Sequence, residues 1–121
     1  RALLDAEDGT FAWVELDERD PVGLCYTSGT TGNPKGVLYE HRSNVIHAIT
    51  EIQPDVFDLS NRSVILPIVP MFHANSWGIP FAAATVGAKL VFSMTNDAQV
   101  LCDLMHAEGV THSAGVPTVW I

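Results

Sequence analysis

At 121 residues the chain has room for one domain with a real core and little more. Hydrophobic residues make up 47% and charged residues 17%, a globular composition that excludes a disordered chain. Fourteen acidic residues against six basic ones give a formal charge of -8. That is the wrong sign for nucleic acid or an anionic membrane surface, although a local basic spot can still hold a small anion.

The first twenty residues are acidic and weakly patterned, with one strand candidate over 11–14 and no apolar stretch flanked like a signal peptide. From Pro21 the pattern sharpens. A strand over about 22–27 leads into the loop "TSGTTG", and a second, "GVLYE", follows at 36–40. The segment "SNVIHAITEIQ" puts Val45, Ala48, Ile49 and Ile52 at helical spacing, with Ser43 as its cap. "RSVILPIV" at 62–69 reads as a buried strand. A helix over 75–86 and a strand over 88–92 come next. The apolar run Ile79 to Phe92 is broken by Pro80, Gly87 and Lys89 and is too short to span a bilayer. Thr95 or Asn96 caps a further helix with Val100, Leu101, Leu104 and Met105 on its apolar face and Gly109 at its end, before a last strand, "VTHS". Strands alternating with helices predict an α/β fold, a mainly parallel sheet flanked by helices. Cys25 and Cys102 form no CxxC pair, which fits a reducing, cytoplasmic setting. The chain starts on Arg1 and stops on Ile121 after an apolar run, and the expectation is a piece of a longer protein.

In open parallel sheets ligands sit beyond the carboxyl ends of the strands. Three strands here end in unusual connectors: "TSGTTG" after Tyr26, "PMFHANSW" after Val69 and "AGVPT" after Ser113. If all three share one edge, they share a site. In the first, Gly29, Gly32 and Gly36 let backbone N–H groups turn toward one point. Thr27, Ser28, Thr30 and Thr31 add hydroxyl donors, Pro34 stiffens the exit, and Lys35 brings a mobile positive charge. Such a loop suits a polyphosphate. It is not the G-x-x-x-x-G-K-[ST] loop, because Lys35 lies three residues beyond Gly32, behind a proline, and enters a strand.

With "LYEHRSNV", "VPMFHANSWG" and "GVPTV" beside it, "YTSGTTGNPKGV" resembles the signature phosphate loop of the adenylate-forming (AMP-binding) enzymes: acyl-CoA synthetases, luciferases and peptide-synthetase adenylation domains. The resemblance covers roughly residues 20 to 121. "PMFHANSWG" with "GAKLVF" is most similar to medium-chain fatty-acid CoA ligases. The resemblance implies that residues 1–121 are a partial N-terminal AMP-binding domain, cut at both ends and without its C-terminal domain. It implies a parent enzyme that activates a carboxylic acid, of medium-chain fatty type, as acyl-AMP and passes it to coenzyme A. ATP and Mg²⁺ are implied with it.

Carried over residue by residue, Thr27, Ser28, Gly29, Thr30, Thr31 and Gly32 hold the β- and γ-phosphates, and Thr27 also supplies an oxygen to Mg²⁺. Lys35 neutralises departing pyrophosphate, and His73 sits beside the acyl carboxylate. Trp77, Gly78, Gly115 and Val116, with Pro117, line the acyl pocket. His41, His47, His106 and His112 read as structural or exposed, and Met71 and Phe72 as packing. The family's adenine segment, magnesium-binding glutamate, ribose aspartate and C-terminal catalytic lysine are missing, so the chain alone is expected not to complete adenylation. Two alternatives stay open: an adenylating enzyme with another acceptor (a carrier-protein thiol or oxygen), and a non-catalytic phosphate-binding module.

Overall fold

The computed structural model of the chain describes residues 2–29 and 32–121. Its N-terminal stretch holds one helical turn, α1 (Ala2–Asp5), and no strand at 11–14. Phe11 and Trp13 instead meet edge to face with ring centroids 5.0 Å apart. An extended segment without a neighbour to take its backbone hydrogen bonds gains nothing by becoming a strand.

The strands β1 (Pro21–Thr27) and β2 (Lys35–Glu40) pair with each other, antiparallel, from Pro21 opposite Glu40 to Thr27 opposite Lys35. This corrects the expectation of one sheet. The connector over 28–34 is far too short for the crossover that a parallel pair needs, but it closes a hairpin readily. β2 passes without a break into α2 (His41–Glu51). That helix starts two residues before Ser43, so Ser43 is not its N-cap. Its hydroxyl sits one turn in and accepts from the Glu40 backbone N–H at 3.2 Å. Ala48 is buried and Ile52 half-buried, whereas Val45 and Ile49 stay exposed.

The second sheet is parallel. β3 (Val64–Pro67) is central, flanked by β4 (Lys89–Leu90) and β5 (His112–Ala114), in the order β4-β3-β5. Between β3 and β4 the chain makes α3 (Ala74–Trp77) and α4 (Ile79–Val86), so the single helix expected over 75–86 is two, divided at Gly78. α5 (Ala98–Glu108) links β4 to β5, and a 3₁₀ turn follows at Pro117–Val119. The N-cap of α5 is Asp97, one residue beyond the expected positions; its Oδ1 accepts from Val100 N–H at 3.1 Å. Gly109 ends that helix, as expected.

Successive side chains of a strand point to opposite faces, and in β3 both faces are covered. Ile65 packs with Ala48, Leu59, Ile79, Ala82 and Ala83, the cluster under α2 and α4. Leu66, the next residue, packs with Ile68, Val91 and Leu101, the cluster under α5. That two-sided burial explains the continuous apolar run "VILPIV", and it makes the parallel sheet the middle of three layers.

Candidate active site

The glycine–threonine loop is the mouth of the β1–β2 hairpin. Gly29 has φ +59°, and a Cβ there would lie 2.7 Å from the Asn33 carbonyl oxygen, so both conformation and space call for glycine. Gly32 also has positive φ, whereas Gly36 is an ordinary strand residue opposite Tyr26. Positive φ is therefore found at two of these three glycines and not at Gly36. Thr27 closes β1, with its hydroxyl 3.5 Å from the Lys35 carbonyl oxygen. Ser28 is exposed, and so is Lys35 at the first position of β2. Among the described residues the ion pairs are Arg42–Glu18, His47–Glu51 and Lys89–Glu108, and Lys35 is in none of them. Thr30 and Thr31 lie outside the described residues.

Beyond β3 the backbone does something costly. Ala74, Asn75, Ser76 and Trp77 have φ of 46°, 54°, 55° and 57°, so α3 is a left-handed turn built from four non-glycine residues. Each such residue costs about 1–2 kcal/mol against a right-handed conformation, and the surroundings must hold the turn in place. Ser76, fully buried, donates its hydroxyl to the Val69 carbonyl at 2.7 Å. Asn75 accepts from the buried Cys25 thiol at 3.4 Å, and its amide nitrogen lies 3.6 Å from where a Cβ on Gly23 would sit. His47 Nε2 is 3.0 Å from the Trp77 carbonyl oxygen. A carbonyl only accepts, so the ring proton is on Nε2.

His73 is the exposed N-cap residue of this turn, and Trp77 its half-buried last residue. Gly78 follows with φ +83°. A Cβ on Gly78 would collide with His47 Cδ2 and lie 2.9 Å from Glu51 Oε2. The Glu51 side chain is only 4% exposed; its Oε1 is 3.4 Å from His47 Nε2, and among the described residues its Oε2 has no hydrogen-bond partner. Burial raises its pKa above the ordinary 4.5, opposed by the attraction and hydrogen bond of His47. A cavity of about 430 Å³ opens here, lined by Tyr39, Asn44, His47, Asn75, Trp77 and Gly78 among others.

The third connector reaches the same edge as the second. The Ala114 carbonyl accepts from Ile68 N–H at 2.8 Å and Val69 N–H at 3.1 Å, which brings Gly115 and Val116 beside the point where β3 runs on toward Pro70. Gly115 packs on the Trp120 ring, whose Nε1 donates to the Gly115 carbonyl at 3.1 Å. Pro117 is exposed at the start of the 3₁₀ turn. So two of the three connectors share the carboxyl edge of the parallel sheet. The phosphate-type loop belongs to the hairpin instead, whose strand β1 meets the second connector at the Cys25–Asn75 contact. Met71 and Phe72 were expected to pack but are 53% and 81% exposed. Met71 lines another cavity of about 420 Å³ with Phe92, Met94 and Leu101.

Residues 3–121 match the AMP-binding enzyme family. The chain belongs to that family. Across 119 residues it is 53% identical to the medium-chain-fatty-acid–CoA ligase of Ectopseudomonas oleovorans, covering 98% of this chain and 22% of that protein. Across 109 residues it is 50% identical to the long-chain-fatty-acid–CoA ligase of Thermus thermophilus, covering 89% of this chain and 20% of that protein. Its fold superposes on the inhibitor-bound N-terminal domain of FACL13 from Mycobacterium tuberculosis with a TM-score of 0.84 at 30% identity, over 96% of this chain and 29% of that one. The chain thus spans about one fifth of the length of these CoA ligases. No helix among the described residues is long and apolar enough to cross a membrane.

Within this AMP-binding chain the sequence pointed to the loop and to His73 and Trp77, but not to Asn75, His47 or Glu51. A histidine and a glutamate four apart on a helix (Glu51 being the buried partner) were the one available signal, and what they touch lies thirty residues away. The other three histidines stay apart from this junction. His41 opens α2, His106 is in the last turn of α5, and His112 Nδ1 is bonded to the Thr111 hydroxyl at 2.7 Å.

Proposed function

We propose that the chain is the phosphate-loop and acid-facing part of an ATP-dependent acid–CoA ligase that works through an acyl-adenylate. The observation that carries this reading is the join between its two connectors. A glycine-built hairpin mouth ending in Lys35 is tied by Cys25 and Asn75 to the turn that bears His73 and Trp77, in a chain of the AMP-binding family. An enzyme joining ATP to an acid needs those two sites side by side.

In the first half-reaction an oxygen of the acid's carboxylate attacks the α-phosphorus of ATP, the bond to the bridging oxygen breaks, and pyrophosphate leaves. The backbone N–H groups and hydroxyls of Thr27 to Gly32 hold the β- and γ-phosphates, and Lys35 balances the charge that builds on the leaving group. Magnesium shares its shell among phosphate oxygens, water and few protein atoms, and the Thr27 hydroxyl fits as one such oxygen. When bound, the ion supplies further neutralisation of the phosphates. His73 lies beside the carboxylate, and Trp77, Gly78, Gly115 and Val116 bound the acyl chain. In the second half-reaction the thiolate sulfur of coenzyme A attacks the acyl carbonyl and AMP leaves. Relatives named for medium-chain and long-chain acids are nearly equally similar. The medium-chain class is favoured by the higher identity and by the Trp77 ring at the cavity.

The test is acid-dependent exchange of labelled pyrophosphate into ATP by the full-length protein that contains this chain, run with Mg²⁺ across short, medium, long and aromatic acids. Exchange with medium-chain acids and coenzyme A-dependent turnover of the same acids are expected. Folded protein that exchanges with no acid leaves the loop as a phosphate-binding scaffold. Exchange without transfer to coenzyme A points to another acceptor.

A further inference from the structure

Four consecutive non-glycine residues in a left-handed turn, Ala74 to Trp77, are held by three side chains from outside the turn or within it: Ser76 on the Val69 carbonyl, Cys25 on Asn75, and His47 on the Trp77 carbonyl. The last is the most exacting. His47 Nε2 lies 3.0 Å from the Trp77 carbonyl oxygen and 3.4 Å from Glu51 Oε1. Gly78, directly after Trp77, leaves no room for a methyl group against the His47 ring and Glu51 Oε2. The ring holds the end of the turn, with Glu51 Oε1 beside the same nitrogen, and the Trp77 side chain leaves the backbone at that held point into the cavity of about 430 Å³. Once the carbonyl is released, strain in the turn favours another backbone conformation and a different place for the indole.

We propose that His47 is a positioning residue for acid selection: by holding the Trp77 carbonyl it sets where the Trp77 ring bounds the acyl cavity. The proposal rests on the ligase reading above and on Trp77 as an acyl-pocket wall. His47 touches no reacting atom. Its loss therefore alters how the acid binds more than how ATP binds, because the hairpin that carries the phosphate-type loop meets this turn at Asn75 and not at Trp77.

The experiment uses the full-length protein and two replacements of similar bulk. His47→Leu keeps the size of the ring without its donor, and His47→Gln presents an amide N–H at a similar reach. Pyrophosphate exchange is measured against acid, against ATP and across acid chain lengths. With His47→Leu the KM for the acid is expected to rise about tenfold, the loss of one hydrogen bond to a fixed partner. The chain-length profile broadens, and the KM for ATP stays within about twofold. With His47→Gln the acid KM and the profile return close to the starting values. Unchanged acid KM and profile in His47→Leu overturn the proposal, and so does an equal rise in both KM values. A His47→Gln protein with an unaltered circular dichroism spectrum and melting midpoint that keeps the full defect also overturns it. If His47→Leu does not fold, His47→Gln decides alone by whether its profile is kept or lost. Absence of exchange in the unsubstituted protein refutes the ligase reading itself, and is thereby distinct from failure of the His47 variants.

Discussion

Lys35 and Gly29 illustrate two ways a single residue governs the loop. Lys35 supplies the one side-chain cation at the hairpin mouth, and among the described residues it is not engaged in an ion pair. Lys35→Ala in the full-length protein is expected to lower the pyrophosphate-exchange rate by two orders of magnitude or more, roughly 3 kcal/mol of transition-state stabilisation. An unchanged rate supports the scaffold reading. Gly29 acts through backbone, and its replacement strains the loop without removing charge. Trp77 contributes volume. Trp77→Ala enlarges the cavity it lines and is expected to move the preferred acid toward longer chains, read as the ratio of kcat/KM between a long and a medium acid. If that ratio stays the same, the indole is core packing and nothing more.

At the scale of elements the decisive contact is α2 on α3 and the start of α4. Gly78→Ala meets both a positive φ and a clash with His47 and Glu51, whereas Gly87→Ala meets positive φ alone, with nothing among the described residues within 4 Å of the new Cβ. The first is expected to destabilise by about 2 kcal/mol or more and the second by about 1 kcal/mol, compared as melting midpoints of the full-length protein. Equal effects would mean that α2 does not press on the turn. Glu51 adds a pH term at the same contact. Burial raises its folded-state pKa above the ordinary 4.5, so the folded state keeps this proton where the unfolded state has released it. Stability from this group is then fully present below about pH 4.5 and falls as pH rises through the raised folded value. Glu51→Gln cannot titrate. The stability of the glutamine variant relative to the glutamate protein is expected to increase as pH is raised from 4 to 7. A difference that is flat with pH removes burial as the cause.

For the whole molecule, surface area is the telling quantity. The chain exposes 9111 Å², against about 6,400 Å² for a compact monomer of 13.1 kDa by the usual size scaling. Leu3, Leu4, Trp13, Phe72, Met94 and Ile121 are each more than three-quarters exposed. Apolar surface on that scale calls for a covering, and the relatives are about five times longer. The 121 residues expressed alone are expected to self-associate and to bind a hydrophobic dye, both absent when the same residues sit in the full-length protein. A monodisperse, dye-free monomer on size exclusion would contradict this.

Much of this protein was written locally. The loop with Lys35, the helix with Gly109 at its end and the two-faced burial of "VILPIV" rest on short-range chemistry: backbone freedom, side-chain charge and the period of apolar residues. Those are properties of a few neighbouring residues and need no fold to be read. Tertiary structure decided the rest. It paired β1 with β2 and took the loop out of the parallel sheet. It also turned Ala74–Trp77 left-handed and brought Asn75 to Cys25 and His47 to the Trp77 carbonyl. The last two contacts join groups thirty to fifty residues apart, and the left-handed turn holds a backbone state that no local preference favours, so only the packed chain, where neighbouring elements bear the strain, can select them.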